Sequence, residues 1–171
     1  SYLAIDRVFD IYQRYDVDVN VRLVLPYAAL PPERFEKAAL PHNMVWLDYL
    51  AMDPPRTAEF LGIPFHWPRP DPIVQDMETG AIAAEQPYCF RLVCLGQAAI
   101  EAGRGIEFFH AVDHIIWDGT IDGWDQGDHL AEATTRAGLD LATLEEKADA
   151  NTERYEENAF LNDEALIKIG H

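Results

Sequence analysis

Apolar residues at Leu3, Ile5, Val8, Phe9, Ile11 and Tyr12 recur at helical spacing, so residues 2–15 read as an amphipathic helix. Asp16 and Asp18 break that period. From Val17 to Leu25 the pattern becomes an alternation, with Val19, Val21, Leu23 and Leu25 on one side, and this predicts a strand. Pro26, Pro31, Pro32 and Pro41 then punctuate an irregular crossing with a helical turn over 32–39. Helices are expected from Asn43 to Met52 and from Pro54 to Leu61, the second opened by its prolines and stopped at Gly62. Leu47, Leu50 and Phe60 are the residues expected to seal these two against a longer helix.

Residues 63–86 are rich in proline and read as loop. A long helix follows from Pro87 to Ala102, closed by Gly103. Another runs from Ile106 to Trp117, and a turn cluster fills Asp118 to Gly123. Asp125 is placed to cap a helix that ends at Gly138, with Asp128 completing a capping-box pattern. Segments Leu141 to Ala148 and Asn151 to Ile169 complete the helical series. One strand cannot satisfy its own backbone donors and acceptors, so the pattern requires a pairing partner for 17–25.

Composition narrows the classes. A chain of 171 residues with 49% hydrophobic content can bury a core as one domain, or as one domain with a subdomain. Thirty acids against 13 bases give a net charge of −17, which argues against nucleic acid as a partner, since phosphate binding needs clustered Lys and Arg. No apolar run approaches the ~18 residues of a membrane helix, and no cationic, apolar leader is visible. The expected setting is cytoplasmic.

Cys89 and Cys94 are the only cysteines. A spacing of five on a helix turns them about 140° apart, so no disulfide is expected between them. The C-x-x-C of disulfide oxidoreductases is absent.

Two segments together carry a resemblance: SYLAIDRVFDIYQRYDVDVNVRLVL at the start and LDYLAMDPPRTAEFLGIP at 47–64. In order and spacing they resemble the 2-hydroxychromene-2-carboxylate isomerase family, relatives of kappa-class glutathione transferases. The resemblance implies an α/β thioredoxin-like fold with an inserted helical domain, of which this chain holds mostly helix and one strand. It divides the chain into a thioredoxin-like part over 1–30, the inserted domain over 31–148, and a return helix over 149–171. It also places the start and end of the chain inside the family's pattern. Ser1 matches the second serine of a Ser-Pro-x-Ser-Tyr-Leu motif, and a Gly-Val-Pro-Thr turn is expected just after His171.

The activity so implied is a glutathione-dependent isomerisation. A serine holds the glutathione sulfur as thiolate. The thiolate adds to a conjugated substrate from aromatic breakdown, lets a bond rotate, and leaves. That serine corresponds to a position three residues before Ser1, so no catalytic residue is assigned in this chain. Ser1 itself is either a helix N-cap or a cofactor contact. The remaining readings are a glutathione transferase, a thiol–disulfide oxidoreductase of the same fold, and a non-catalytic binding module. The expected partner is a small molecule, and the expected assembly a homodimer.

Four residues are candidates for substrate binding. Tyr27 follows the carboxyl end of the predicted strand, where open α/β sheets hold ligands. His42 and Asn43 fall where the family keeps polar site residues, although Asn43 equally suits a helix N-cap. Arg91 stands where the family often carries Arg and could fork onto a carboxylate, or pair with Glu85 or Asp71. Trp46 and Tyr49, at i and i+3, read as core with an aromatic pocket as the alternative.

Two further motifs resemble metal sites in part. His110-Ala-Val-Asp-His114 puts two histidines on one helix face, but no third ligand is signalled and no metal is assigned. Asp118 to His129 has the acids and glycines of a calcium loop, yet His129 stands where the bidentate Glu belongs. A turn capped by aspartates accounts for it better.

Overall fold

The computed structural model describes residues 2–26, 29–30, 44–76, 78–79 and 81–169. Seven helices are found among them: α1 (Tyr2–Arg14), α2 (Met44–Leu61), α3 (Pro87–Glu101), α4 (Gly105–Trp117), α5 (His129–Arg136), α6 (Leu141–Asp149) and α7 (Thr152–Lys168). Helix α3 is the central column. It packs on α4, α6 and α7, while α4 is flanked by α5 on one side and α1 on the other.

The reason is in α3 itself. Its sequence is apolar nearly all round, and Val93 through Ala99 are all buried, as expected of a helix enclosed by neighbours. Small residues bring those neighbours close. A Cβ at Gly96 would lie 2.5 Å from Phe109 Cζ and 2.8 Å from Leu23 Cδ1, so α4 and the segment before α2 meet α3 at that glycine. Gly103 then takes a φ of 71° and closes α3, with its N–H bonded to Ile100 O at 2.9 Å. The principal core lies between α3, α4, α5 and α6, built on Leu95, Phe108, Val112, Ile115, Leu130 and Leu144. Trp124, 1% exposed, plugs its edge and donates from Nε1 to Pro70 O at 2.7 Å.

The predicted strand does not form. Residues 17–26 form neither helix nor strand; among the described residues there is no sheet, and the one antiparallel bridge is an isolated pair, Gln75 with Ile82. The α/β expectation is therefore corrected: the described architecture is helical. The alternation was real in its side chains. Val19 and Val21 turn into the cluster with α1 and α4, and Leu23 and Leu25 into the one with α3 and α7. The backbone instead meets a side chain, as Asn162 Nδ2 donates to Leu23 O at 2.9 Å.

Three helical expectations also change. Residues 44–61 form one helix that runs through Pro54 and Pro55. Proline's fixed φ suits a helix even though each ring removes one backbone bond. Phe60 is 88% exposed and Tyr49 57%, so neither seals a core. The side chains of Trp46, Leu47 and Leu50 lie outside the described residues. Helix α5 begins at His129 rather than Asp125, because Gly123 and Gly127 take φ of 73° and 57° and keep the preceding residues in turns. Asp128 is the N-cap by position but makes no side-chain cap bond. By contrast Asp140 caps α6, accepting from Thr143 N at 2.8 Å and Thr143 Oγ1 at 2.7 Å.

Candidate functional site

The seam between α1 and α4 gathers the most chemistry. Tyr2 and Ile5 are buried against Ile106, which docks α1 on α4. That docking leaves Asp6 facing the histidine pair of α4. His110 Nε2 lies 3.0 Å from Asp6 Oδ1, and His114 Nε2 lies 2.8 Å from the same oxygen. The His110 ring stacks on Phe9 with centroids 4.0 Å apart, and Tyr2 meets His114 edge-on at 5.6 Å. On the far side of His114, Nδ1 is 3.6 Å from Asp118 Oδ2.

Electrostatics at the seam follow from these neighbours. Burial, and then the charge of His114, hold the His110 pKa below its ordinary value against the pull of Asp6. Asp6 is held below the usual carboxylate range: desolvation, the largest single influence, would raise it, but hydrogen bonding and charge from His114 and His110 together outweigh it. Tyr2 is pushed up to about 12, first by burial and then by the negative charges of Asp118, Asp6 and Asp113. Its hydroxyl donates to Pro64 O at 2.5 Å, which pins the segment after α2 to the start of α1. An aromatic wall of Phe65, Trp67 and Trp117 continues from there, with centroids 5.3 to 6.2 Å apart.

Sequence reasoning saw the histidine pair and missed Asp6. The third member is 104 residues from His110 and becomes a neighbour only through the packing of α1 on α4. The Asp118 region behaves as its spacing predicts for a turn. Asp118 Oδ1 accepts from Thr120 N at 2.8 Å and Thr120 Oγ1 at 2.6 Å.

The predicted binding residues are placed less centrally. Ser1, Tyr27, His42 and Asn43 lie outside the described residues. Arg91 is exposed on α3 and forms an ion pair with Glu145 of α6, instead of either partner expected for it. It borders a cavity of about 460 Å³ whose rim also carries Glu145, Asp149 and Glu156, so acids outnumber the one arginine there. Cys94 faces the same cavity. Its thiol is pushed up to about 11 by burial and then by Glu156 and Asp149. Burial raises Cys89 as well, and the two are free thiols, as their helical spacing requires.

A second cavity, of about 440 Å³, opens between the end of α1, residues 18–21 and the α3–α4 turn. Tyr12 Oη donates to Glu107 Oε1 at 3.1 Å on its wall, and Arg104 Nη1 reaches the same oxygen at 2.9 Å.

This arrangement of helices matches a solved structure of 2-hydroxychromene-2-carboxylate isomerase, a selenomethionine protein, with a TM-score of 0.57. The chains are 24% identical, and the match covers 94% of this chain and 72% of that one. The two share a fold. The resemblance carried by the two sequence segments thus holds at the level of fold. No family model matches the chain, and no curated protein matches it significantly. Among the described residues no helix is long and apolar enough to cross a membrane.

Proposed function

We propose that the protein is an isomerase acting on a small conjugated carboxylate of the 2-hydroxychromene-2-carboxylate type, with glutathione as its thiol cofactor. The observation that carries this reading is the fold shared with that isomerase over 94% of the chain. The thiol chemistry supports the glutathione part. Both cysteines of the chain are buried, with thiols held above their ordinary pKa, and a poor thiolate is a poor nucleophile. Neither Cys89 nor Cys94 is suited to supply the thiolate, and the reading draws it from a bound small molecule. The same fact weighs against a disulfide oxidoreductase working through Cys89 and Cys94.

In this reading glutathione sulfur adds to the conjugated double bond and converts it to a single bond. Rotation follows, and expulsion of the thiolate restores the double bond in the other geometry, with no net oxidation or reduction. Tyr27, His42 and Asn43 border the substrate, and Arg91 is the guanidinium available to a carboxylate once it parts from Glu145. The test pairs calorimetric titration with glutathione and an ultraviolet assay of 2-hydroxychromene-2-carboxylate turnover, on protein that includes the motif serine three residues before Ser1 and the turn expected after His171. The reading expects one glutathione per chain and turnover that depends on added glutathione. Binding without turnover on this substrate would remove the isomerase assignment, and absence of both would remove glutathione as well. Unchanged turnover in Asn43→Ala would take that residue out of the site.

A further inference from the structure

The seam between α1 and α4 holds three donor atoms of a kind that transition metals favour. The four-residue spacing on α4 sets His110 and His114 on one face, and α1 supplies Asp6 opposite them. The three ligand atoms lie within 4.8 Å of one another. Around a tetrahedral zinc ion with bonds of about 2.0–2.2 Å, ligand atoms stand about 3.3–3.5 Å apart. The two distances from Asp6 Oδ1, 3.0 and 2.8 Å, fall just inside that edge. A small outward swing of the Asp6 carboxylate, whose side chain is 53% exposed, opens the space for an ion.

Two imidazoles of one helix converge on a single carboxylate oxygen of another, as the ligands of a shared ion would. The carboxylate of Asp118 lies 3.6 Å from Nδ1 of His114, on the side of the ring away from Asp6. Metal-bound histidines commonly have a carboxylate at the second ring nitrogen, as His114 does. The His110 ring is fixed in place by its stacking on Phe9. Asp118 adds a second carboxylate to the seam beside His114.

We infer that Asp6, His110 and His114 form a binding site for one divalent first-row transition metal ion, of which zinc is the representative. Two imidazole nitrogens and a carboxylate suit Zn²⁺, Co²⁺, Ni²⁺ or Fe²⁺ and select against Ca²⁺ and Mg²⁺, which take oxygen ligands. The histidine side chains are 30% and 29% exposed, so water reaches the remaining coordination positions. The ion clamps α1 to α4 and leaves an open position beside the aromatic wall. This site is independent of the isomerase reading, which assigns these three residues nothing.

The experiment uses chelator-stripped protein and Zn²⁺ in competition with a chromophoric chelator. Co²⁺ absorption reports the ligand set, and thermal unfolding is followed with and without Zn²⁺. One equivalent should bind and raise the unfolding midpoint. Asp6→Asn, which keeps the side-chain shape, and His110→Ala should each weaken the affinity at least tenfold. His129→Ala, at the start of α5 and outside the cluster, should leave it unchanged. Circular dichroism establishes that each variant is folded before it is titrated, and Asp6→Asn alone decides the matter if His110→Ala does not fold. Absence of binding, or an unchanged affinity in folded Asp6→Asn, would overturn the site.

Discussion

The hydroxyl of Tyr155 donates to Glu101 Oε2 at 2.8 Å, tying α7 to the end of α3. The tyrosine ring is fully buried, so the bond stands at the margin between core and solvent. Tyr155→Phe keeps the ring and removes the donor. Its carboxylate partner retains Arg154 and Lys147, so the loss should be about 1–2 kcal/mol, within the range for hydrogen bonds to charged groups. Urea denaturation of the two proteins measures it.

Glu101 gives the acid limb of stability a definite shape. Hydrogen bonds from Arg154 first and Lys147 next, and then Tyr155, bring its pKa from 4.5 down to about 2. A carboxylate with a depressed folded pKa contributes stability that is complete above its unfolded pKa and disappears as pH falls through the folded one. The contribution should thus be intact at pH 6 and fade from about pH 4.5 to 2. In Glu101→Gln the neutral side chain cannot titrate. Unfolding midpoints of the two proteins should differ most near neutral pH and converge toward pH 2, which a pH series of thermal melts would reveal.

Gly96 tests the close approach of three elements. Alanine there must push Phe109 or Leu23 aside, and overpacking a tight core costs about 1–3 kcal/mol. The companion variant Gly62→Ala meets no atoms but sits at a φ of 70°, so it reports backbone strain without crowding. If the Gly96 variant were as stable as the parent, the α3–α4 contact would be looser than described.

Much of this architecture was legible in the pattern. Helices α1, α3, α4, α6 and α7 follow from apolar period and terminal punctuation, because those signals are local. Alternation over 17–25 correctly separated inward from outward side chains. It carried no information on whether another backbone would lie alongside, and that is where the strand expectation failed. Prolines at 54 and 55 suggested a boundary that the helix passes through. The candidate site divides the same way. The i, i+4 histidines are a local signal, while Asp6 enters only through tertiary packing 104 residues away.

Cys89 and Cys94 provide a test of the α3 environment. Both are buried and pushed to high pKa, Cys94 to about 11. Native protein at pH 7.5 should react slowly with iodoacetamide, and denatured protein should incorporate two labels without prior reduction. An 89–94 disulfide peptide, or rapid native labelling, would contradict the packing of this helix.

The last prediction concerns the contact that holds the candidate site together. Tyr2 Oη donates to Pro64 O, and its ring meets both Phe65 and His114. It links the start of α1, the segment after α2 and the histidine face of α4. Tyr2→Phe keeps both ring contacts and frees the Pro64 carbonyl. Burial makes that loss more costly than at a surface, so about 1–2 kcal/mol of stability should go. Hydrogen exchange should rise at Phe65 and His66, whose backbone is held against Trp117 O by the His66 N–H at 2.8 Å. Exchange in α6 and α7, on the other side of α3, should stay the same. Uniform acceleration across all helices would mean that Tyr2 supports the whole core rather than this seam.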